Sequence, residues 1–525
     1  MKIRIKNGQE FEARAGETLL SALGRAGIPV SASCGGKHRC GKCLVRIAEG
    51  RIRDILPPEK SSIRKNLPAG TVLACASVPE TDITLELIGE HAYEGGAYQK
   101  ISAVNTAGNT AGNRRTGIAL DIGTTTVSAR LIDLDSGEEL DTYSALNQQR
   151  VFGADVMSRI GAAREGKTAE LFSIINRQTE QIISGFKEKF RLDSSIETLV
   201  VAANTTMLHL FVNEDPSAMG EIPFKPVFLE ERKYSGKDLG LSVNSVYLFP
   251  SISAFIGADI VSGLCEIDIL KAGEAVFFID IGTNGEMALF HEGKLYCASA
   301  AAGPALEGAE ISCGVGSIRG AINKVQWIGG KLDWATIDDD PPVGICGCGL
   351  IDTIALMLDR EIIDETGAFC DDDREDFEVS SGISITNRDV RQYQLAKSAI
   401  LSAIKIVIKS AGIDLNDVKK VYVAGGLGFY IDRKSAVRSG LLPAEFLDKI
   451  EVCGNTSLKG AVRALLFLAG QHNAAATAND AADFRQTSRE IVKISSITDL
   501  ASNPEFMDAF AENMIFPAQE DHDDV

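Results

Sequence analysis

The 525-residue sequence predicts a multidomain chain of the α+β and α/β classes, with a small mixed domain, a linker and then a duplicated α/β region. Three observations predict it. Cys34, Cys40, Cys43 and Cys75 fall within the first 95 residues. The stretch GGAYQKISAVNTAGNTAGNRRT, rich in Gly, Ala, Asn and Thr, has neither helical nor strand periodicity. The motif IALDIGTTTVSARLID at Ile118 to Asp133 then returns in diluted form as VFFIDIGTNGEMAL at Val276 to Leu289. The resulting division is 1–95, a flexible linker 96–116, a first half 117–273, a second half 274–473 and a C-terminal extension 474–525.

Composition bounds the function. With 45% hydrophobic and 24% charged residues, the chain has ordinary globular composition and is long enough for several cores. A net charge of -19 argues against a nucleic-acid partner, because a phosphate backbone demands a basic surface. No apolar run approaches membrane-spanning length, and MKIRIKNGQEFEA alternates charge instead of opening a signal peptide. A cytoplasmic protein with no membrane association is expected. Its eleven cysteines are then read for metal, not for disulfides. Residues 1–95 carry fourteen Lys or Arg against eleven Asp or Glu, so the first domain is the basic one.

That domain opens with a hairpin turning at Asn7-Gly8, followed by a short helix from about Glu17 to Arg25 that Gly27 closes. The loop SASCGGKHRCGKCLVRI comes next. Its C-x5-C-x2-C spacing, with Cys75 far downstream, is close to the plant-type pattern of a 2Fe-2S cluster with one extra residue in the first loop. Gly35, Gly36 and Gly41 let the loop wrap so that backbone N–H groups point at the sulfurs. Zinc is the competing reading, but structural zinc sites usually bring two C-x2-C knuckles and only one is present. Hairpin, helix and cysteine loop in this order resemble a β-grasp ferredoxin, and the spacing matches adrenodoxin-like variants. Lys37, Arg39, Lys42, Arg46, Arg51 and Arg53 form either a solvated rim or a collar that steers an acidic partner.

In the duplicated region, Gly123 and Gly282 let backbone approach a phosphate closely. Thr124, Thr125 and Thr126 in the first copy, and Thr283, Asn284 and Gly285 in the second, supply hydroxyl, amide and backbone donors. Asp121 and Asp280 stand where a strand opens into the turn, placed to hold a hydrated Mg2+ or to orient an attacking water. One copy alone would read as a hairpin with a helpful glycine; two copies suggest a grip on one nucleoside triphosphate. A third element, KVYVAGGLGFYID from Lys420 to Asp432, runs an apolar strand into Gly425, Gly426 and Gly428 behind an amphipathic helix from about Arg391 to Ser410. Two phosphate turns followed by a strand with a double glycine are similar to the acetate kinase, sugar kinase, Hsp70 and actin superfamily, where the glycine pair lies under adenine and ribose. No Walker motif occurs.

Between these landmarks the sequence predicts a helical stretch from FGADVMSRI to Phe190, a strand from Thr198 to Leu210, and a helix opened by Gly257-Ala258-Asp259. That helix presses a small face against one entered through Gly454-Asn455-Thr456. Asp259 is a contact to Mg2+ or water, or else a helix N-cap. Glu307 and Glu310 lie in a glycine-rich loop that lines a cleft or merely turns. Cys313, Cys346 and Cys348 are read as small buried thiols. The polar residues from Ala474 onward read as a partly mobile tail.

A ferredoxin ahead of an actin-like ATPase, with CGGKHRCGKC, DIGTTT, NTTMLHL, FIGADI, DIGTNGE, CGCGLID, QLAKSAI and VAGGLGFYID in order, resembles the reductive activators of corrinoid proteins over nearly the whole chain. Some members carry an extra small domain where this chain has only its linker, and the C-terminal cysteine set of activators using 4Fe-4S clusters is missing. The resemblance implies an ATP-hydrolysing enzyme that passes an electron from an external low-potential donor, by way of a 2Fe-2S cluster, to a Co(II) corrinoid protein of a methyltransferase system. ATP and Mg2+ are the other implied cofactors, and a homodimer is an open expectation for its assembly. Two other classes stay open: a small-molecule kinase with a regulatory cluster, and an electron-transfer module with a nucleotide-sensing domain.

Overall fold

The apolar runs preceding each Asp-Ile-Gly-Thr motif become the central strands of two sheets built to one plan. A computed structural model describes all residues except 7–8, 27, 29, 31, 33–35, 37, 39–42, 59, 61–66, 68–69, 88–113, 193–195, 309, 428–429, 471–483 and 519–525. The expected linker 96–116 and the hairpin turn at 7–8 therefore lie wholly or largely outside the described residues. Two units are distinct, Met1–Asp259 with Ala461–Phe484, and Ile260–Gly460 with Arg485–Val525.

The first unit begins with a mixed sheet. Strands β1 (Lys2–Ile5) and β2 (Glu10–Glu12) form the expected hairpin, with Ile3 opposite Phe11. Helix α1 (Leu19–Arg25) buries Leu19, Leu20, Ala22 and Leu23. Strands β3 (Leu44–Glu49), β5 (Thr71–Leu73) and β7 (Ile83–Leu87) complete it, and β4 (Ile52–Asp54) and β6 (Ser77–Pro79) form a separate two-stranded sheet. The sheet order is β2-β1-β7-β3-β5, with β4 pairing β6 and with β1 parallel to β7. Alternating Ile3, Ile5, Val45 and Leu85 point into one core with α1, which is the half-buried pattern a single-faced sheet requires.

The rest of this unit carries β8 (Thr116–Ile122), β9 (Thr126–Asp133), β10 (Glu139–Leu146), α2 (Val156–Ala162), α3 (Thr168–Phe190), β11 (Ile196–Ala203), α4 (Thr205–Phe211), β12 (Arg232–Ser235), β13 (Val243–Leu248) and α5 (Ala258–Glu266), which continues into the second unit. The sheet order is β10-β9-β8-β11-β13-β12. The strand expected to reach Leu210 stops at Ala203. Asn204 accepts a hydrogen bond from the Met207 N–H through its side chain, and this cap turns the remaining residues into α4.

The second unit carries β14 (Val276–Ile281), β15 (Gly285–His291), β16 (Lys294–Ala300), β17 (Ala321–Ile328), β18 (Lys331–Thr336), β19 (Gly344–Ile345), α6 (Gly347–Asp359), β20 (Asp376–Ser380), β21 (Ile383–Thr386), α7 (Asn387–Ser410), β22 (Lys420–Ala424), α8 (Arg433–Arg438) and β23 (Ile450–Gly454). It closes with α9 (Thr456–Leu468), α10 (Phe484–Ile494), β24 (Ser495–Ile497) and α11 (Pro504–Glu512), α9 and α10 being shared with the first unit. Its main sheet runs β23-β22-β14-β15-β16-β24. Strands β16-β15-β14-β22-β23 thus repeat β10-β9-β8-β11-β13: an antiparallel meander of three, then two parallel strands. Equivalent registers set Asp121 beside Ala202 and Asp280 beside Ala424.

Where the sequence predicts a partly mobile tail, residues 484–518 form helices and a strand, while 474–483 and 519–525 lie outside the described residues. Strand β24 adds in parallel to β16, and α11 lies on α7. The attachment is hydrogen-bonded: Lys405 Nζ donates to Asn513 Oδ1 at 2.7 Å, Asn513 Nδ2 to Ser402 Oγ at 2.8 Å, and Lys397 Nζ to the Ile515 carbonyl at 2.6 Å. Among the described residues no helix is long and apolar enough to cross a membrane.

The start of α9 packs against α5 through small residues, as the two glycine-led openings suggested. Ser262 Oγ donates to the Ser457 carbonyl at 2.8 Å, and a Cβ on Gly460 would collide with the Ser262 carbonyl. Overpacking of this kind costs about 1–3 kcal/mol or more. Gly460→Val should therefore lower the apparent melting temperature in a circular-dichroism melt, whereas an unchanged melt would show that the helices separate freely.

Candidate functional site

The first turn, Gly123 to Thr126, joins β8 to β9 and is tied at every carbonyl. Gly123 O accepts from Asn147 Nδ2 at 2.9 Å, Thr124 O from Arg159 Nη2, Thr125 O from the Asn147 backbone N–H at 2.8 Å, and Thr126 O from the Gly123 N–H at 2.9 Å. Thr124 Oγ1 accepts from Asn204 Nδ2 at 3.0 Å, so its own proton must be donated elsewhere. Asp121 is half-buried at the end of β8. Gly257 packs so closely on Asn204 that a Cβ there would lie 2.5 Å from the Asn204 Cα. Asp259 is the second residue of α5, past the position where an N-cap would sit, so capping is not its arrangement. The structure thus gathers Gly123–Thr126, Asn204 and the 257–259 corner in one unit. Sequence reasoning missed Asn147, Arg159 and Asn204, because isolated polar residues, whether between predicted elements or inside them, carry no periodic signal.

The second turn, Gly282 to Gly285, joins β14 to β15. The Gly282 N–H donates to Asn284 O at 2.9 Å, Thr283 Oγ1 donates to Glu307 Oε2 at 2.5 Å, and Asn284 Nδ2 donates to Glu286 Oε1 at 3.1 Å. Of the two loop glutamates, Glu307 therefore faces this turn. Asp280 meets the glycine loop directly: Gly425 has φ +88°, and a Cβ there would collide with Asp280 Oδ1. A Cβ on Gly426 would meet nothing within 4 Å, while Gly428 lies outside the described residues.

Helix α6 backs this glycine loop. Cys348 Sγ donates to Leu427 O at 3.6 Å. The single Cys348 S–H is shared between that carbonyl and Cys346, which pulls Cys346 down to about 7, while Cys348 is pushed up by the same contact and by burial. Both thiols are buried, and half-buried Cys313 donates to Ser384 O at 3.2 Å. Asp352, further along α6, is 4% exposed; burial raises its carboxyl to about 6 even though Oδ2 accepts from the Val325 N–H at 3.1 Å. Among the described residues no group of three or more His, Cys, Asp or Glu is arranged to hold a metal ion by itself. A Mg2+ at these turns would accordingly take one or two carboxylates and complete its shell with phosphate and water, which is its common habit.

Of the four cysteines in the first domain, Cys34 and Cys40 lie outside the described residues. Cys43 and Cys75 are 2% and 4% exposed and share one edge of the sheet, where the Ala74 N–H donates to Cys43 O at 2.7 Å and Leu44 pairs Leu73. His38 Nε2 lies 3.1 Å from Cys75 O, donating its N–H. Soft thiolates placed together and shielded from water suit an iron–sulfur group. Of the basic collar, Arg46 pairs Glu86 at 3.5 Å and Arg51 and Arg53 are exposed, while Lys37, Arg39 and Lys42 lie outside the described residues.

Comparison with known proteins covers the chain in three blocks. Residues 3–80 match the 2Fe-2S iron-sulfur cluster binding domain, residues 116–272 the RACo middle region, and residues 274–523 the C-terminal domain of RACo, the ASKHA domain. The chain therefore carries a 2Fe-2S cluster domain and a nucleotide-binding ASKHA domain. It is 30% identical to the corrinoid activation enzyme RamQ of Eubacterium limosum over 93% of this chain and 94% of that one. It is 31% identical to the Co(II) methylated amine-specific corrinoid protein reductase of Methanosarcina barkeri, over 65% of this chain and 68% of that one. Among solved structures, a reductive activator for corrinoid, iron-sulfur protein aligns with TM-score 0.69 and 28% identity, covering 99% of both chains.

The second turn and its backing helix carry two expected outcomes. Gly425→Ala forces a left-handed alanine against Asp280, at a cost of about 1–3 kcal/mol, and should lower the melting temperature; Gly426→Ala, whose Cβ enters open space, should not. Because the folded Asp352 carboxyl titrates near 6 against an ordinary 3.8, its contribution to stability is full below about pH 3.8 and lost as pH rises through about 6. Asp352→Asn should flatten the pH dependence of the melting temperature in that window; an unaltered slope would show that Asp352 does not titrate there.

Proposed function

This chain belongs to the family of reductive activators of corrinoid proteins, and we propose that it uses ATP hydrolysis to return an inactive Co(II) corrinoid protein to Co(I). One conjunction supports the reading: a 2Fe-2S domain and two sheets, each with a phosphate-type turn, occur in a chain matched over nearly its whole length by proteins named for corrinoid activation. In the balanced reaction Co(II) gains one electron from an external low-potential donor, and ATP and water become ADP and phosphate. The iron–sulfur group, when bound, supplies one-electron chemistry at low potential.

The chain's own residues then divide the work. Cys34, Cys40, Cys43 and Cys75 hold the iron, and burial at Cys43 and Cys75 keeps water from the sulfurs. Gly123, Thr124, Thr125 and Thr126, with Gly282, Thr283, Asn284 and Gly285, donate to the phosphates of ATP. Asp121 and Asp280 hold Mg2+ through water or orient the attacking water, and Asp259 assists from the first turn of α5. Gly425, Gly426 and Gly428 lie against the nucleoside.

ATP enters because the reduction is uphill. A deficit of 100 mV is about 2.3 kcal/mol per electron, comparable with the 1–3 kcal/mol that a bound ligand commonly couples to a second site. A nucleotide shifts the corrinoid equilibrium only so far as it binds one protein state better than another. Hydrolysis then removes that preference and frees the partner.

The test is Co(I) formation followed by absorbance, with chemical reductant, corrinoid protein and Mg·ATP. Co(I) should accumulate only with ATP, and Asp280→Asn should slow ATP hydrolysis on the order of 100-fold, the scale of losing one charge-stabilising group. Equal Co(I) without ATP would remove nucleotide from the reduction.

A further inference from the structure

Arg159 is 0% exposed, and its guanidinium donates along three directions: Nε to Gly153 O at 3.1 Å, Nη1 to Met207 Sδ at 3.0 Å, and Nη2 to the carbonyl of Thr124 inside the first turn. Asn147, also 0% exposed, takes the carbonyls on either side, those of Gly123 and Thr125. Burying a guanidinium and an amide is expensive unless their hydrogen bonds are used. Here both are used on consecutive carbonyls of one four-residue turn.

Peptide geometry makes the consequence specific. In a trans peptide the C=O of one residue and the N–H of the next lie in one plane and point in opposite directions. Drawing the carbonyls of Gly123, Thr124 and Thr125 toward buried donors therefore aims the N–H groups of Thr124, Thr125 and Thr126 away from the interior. A carbonyl left to rotate outward would set a partial negative charge against any phosphate. We propose that Arg159, assisted by Asn147, is a positioning residue for phosphate binding: it holds the first turn with its carbonyls inward and its N–H groups outward. The inference rests on the reading of Gly123–Thr126 as a phosphate turn, and it assigns to α2 a task in nucleotide binding instead of packing alone.

The test uses the full chain and calorimetric titration with two probes, Mg·ATP and adenosine. Arg159→Lys keeps the charge but ends in a single nitrogen, which cannot span acceptors that the guanidinium reaches from three separate atoms. It should weaken Mg·ATP binding by about 10-fold or more, since small misplacements at a reacting site cost up to about 100-fold, while adenosine binding to the folded variant stays close to wild type. Arg159→Ala should lose Mg·ATP binding and regain part of it when millimolar guanidinium is added. If Arg159→Lys does not fold, Asn147→Ser removes the donor to Gly123 and answers the same question. Unchanged Mg·ATP binding, or equal weakening of Mg·ATP and adenosine, would overturn the assignment. Wild-type protein that binds adenosine but gains nothing from the phosphates would instead overturn the reading of the turn itself.

Discussion

Parallel pairing at the end of one central strand is the constraint on which the rest depends. In each sheet the Asp-Ile-Gly-Thr aspartate sits opposite an alanine of a parallel neighbour, Asp121 against Ala202 and Asp280 against Ala424. The small partner leaves room beside the carboxylate, and the parallel register delivers both strand ends to the same edge. The strands beneath are buried on both faces, so a slip of one residue would exchange the side chains packed on the two sides of the sheet and move the aspartate from its place opposite the alanine. Core burial thus fixes the chemistry's position.

Two copies of that plan have diverged just beyond the parallel strand. After β11 the chain meets Asn204, whose amide contacts Thr124. After β22 it meets Gly425, whose missing side chain admits Asp280. One copy supplies a donor at that register position and the other removes bulk. The two turns also differ in their company: carbonyl-holding donors surround the first, and Glu286 and Glu307 accept from the second.

Much of this was legible in the residues. The repeated motif marked both central strands, Gly425 marked a close approach, and the cysteine spacing marked the first domain, because each feature is carried by residue types with few alternative uses. What escaped was polar and buried. Arg159 and Asn147 look like surface residues in a pattern of apolar spacing, yet both are sealed within the fold by hydrogen bonds. The same blindness affected residues 484–518, whose attachment to α7 combines hydrogen bonds through Lys397, Ser402, Lys405 and Asn513 with buried Phe516 stacked on Tyr393. Asn204 escaped because a strand-like run of apolar residues hid a cap that ends the strand early.

Strand β24 finishes the second sheet by pairing with β16, and Cys297 and Ser495, side by side there, are 198 positions apart in the chain. Translation at about 5–20 residues per second separates those two positions by roughly 10–40 s. Throughout that interval the nascent domain presents β16 as a bare edge, with unpaired N–H and C=O groups ready to recruit any extended peptide nearby. The last strand of the sheet is thus also its edge cover, and that exposure ends when β24 emerges and pairs.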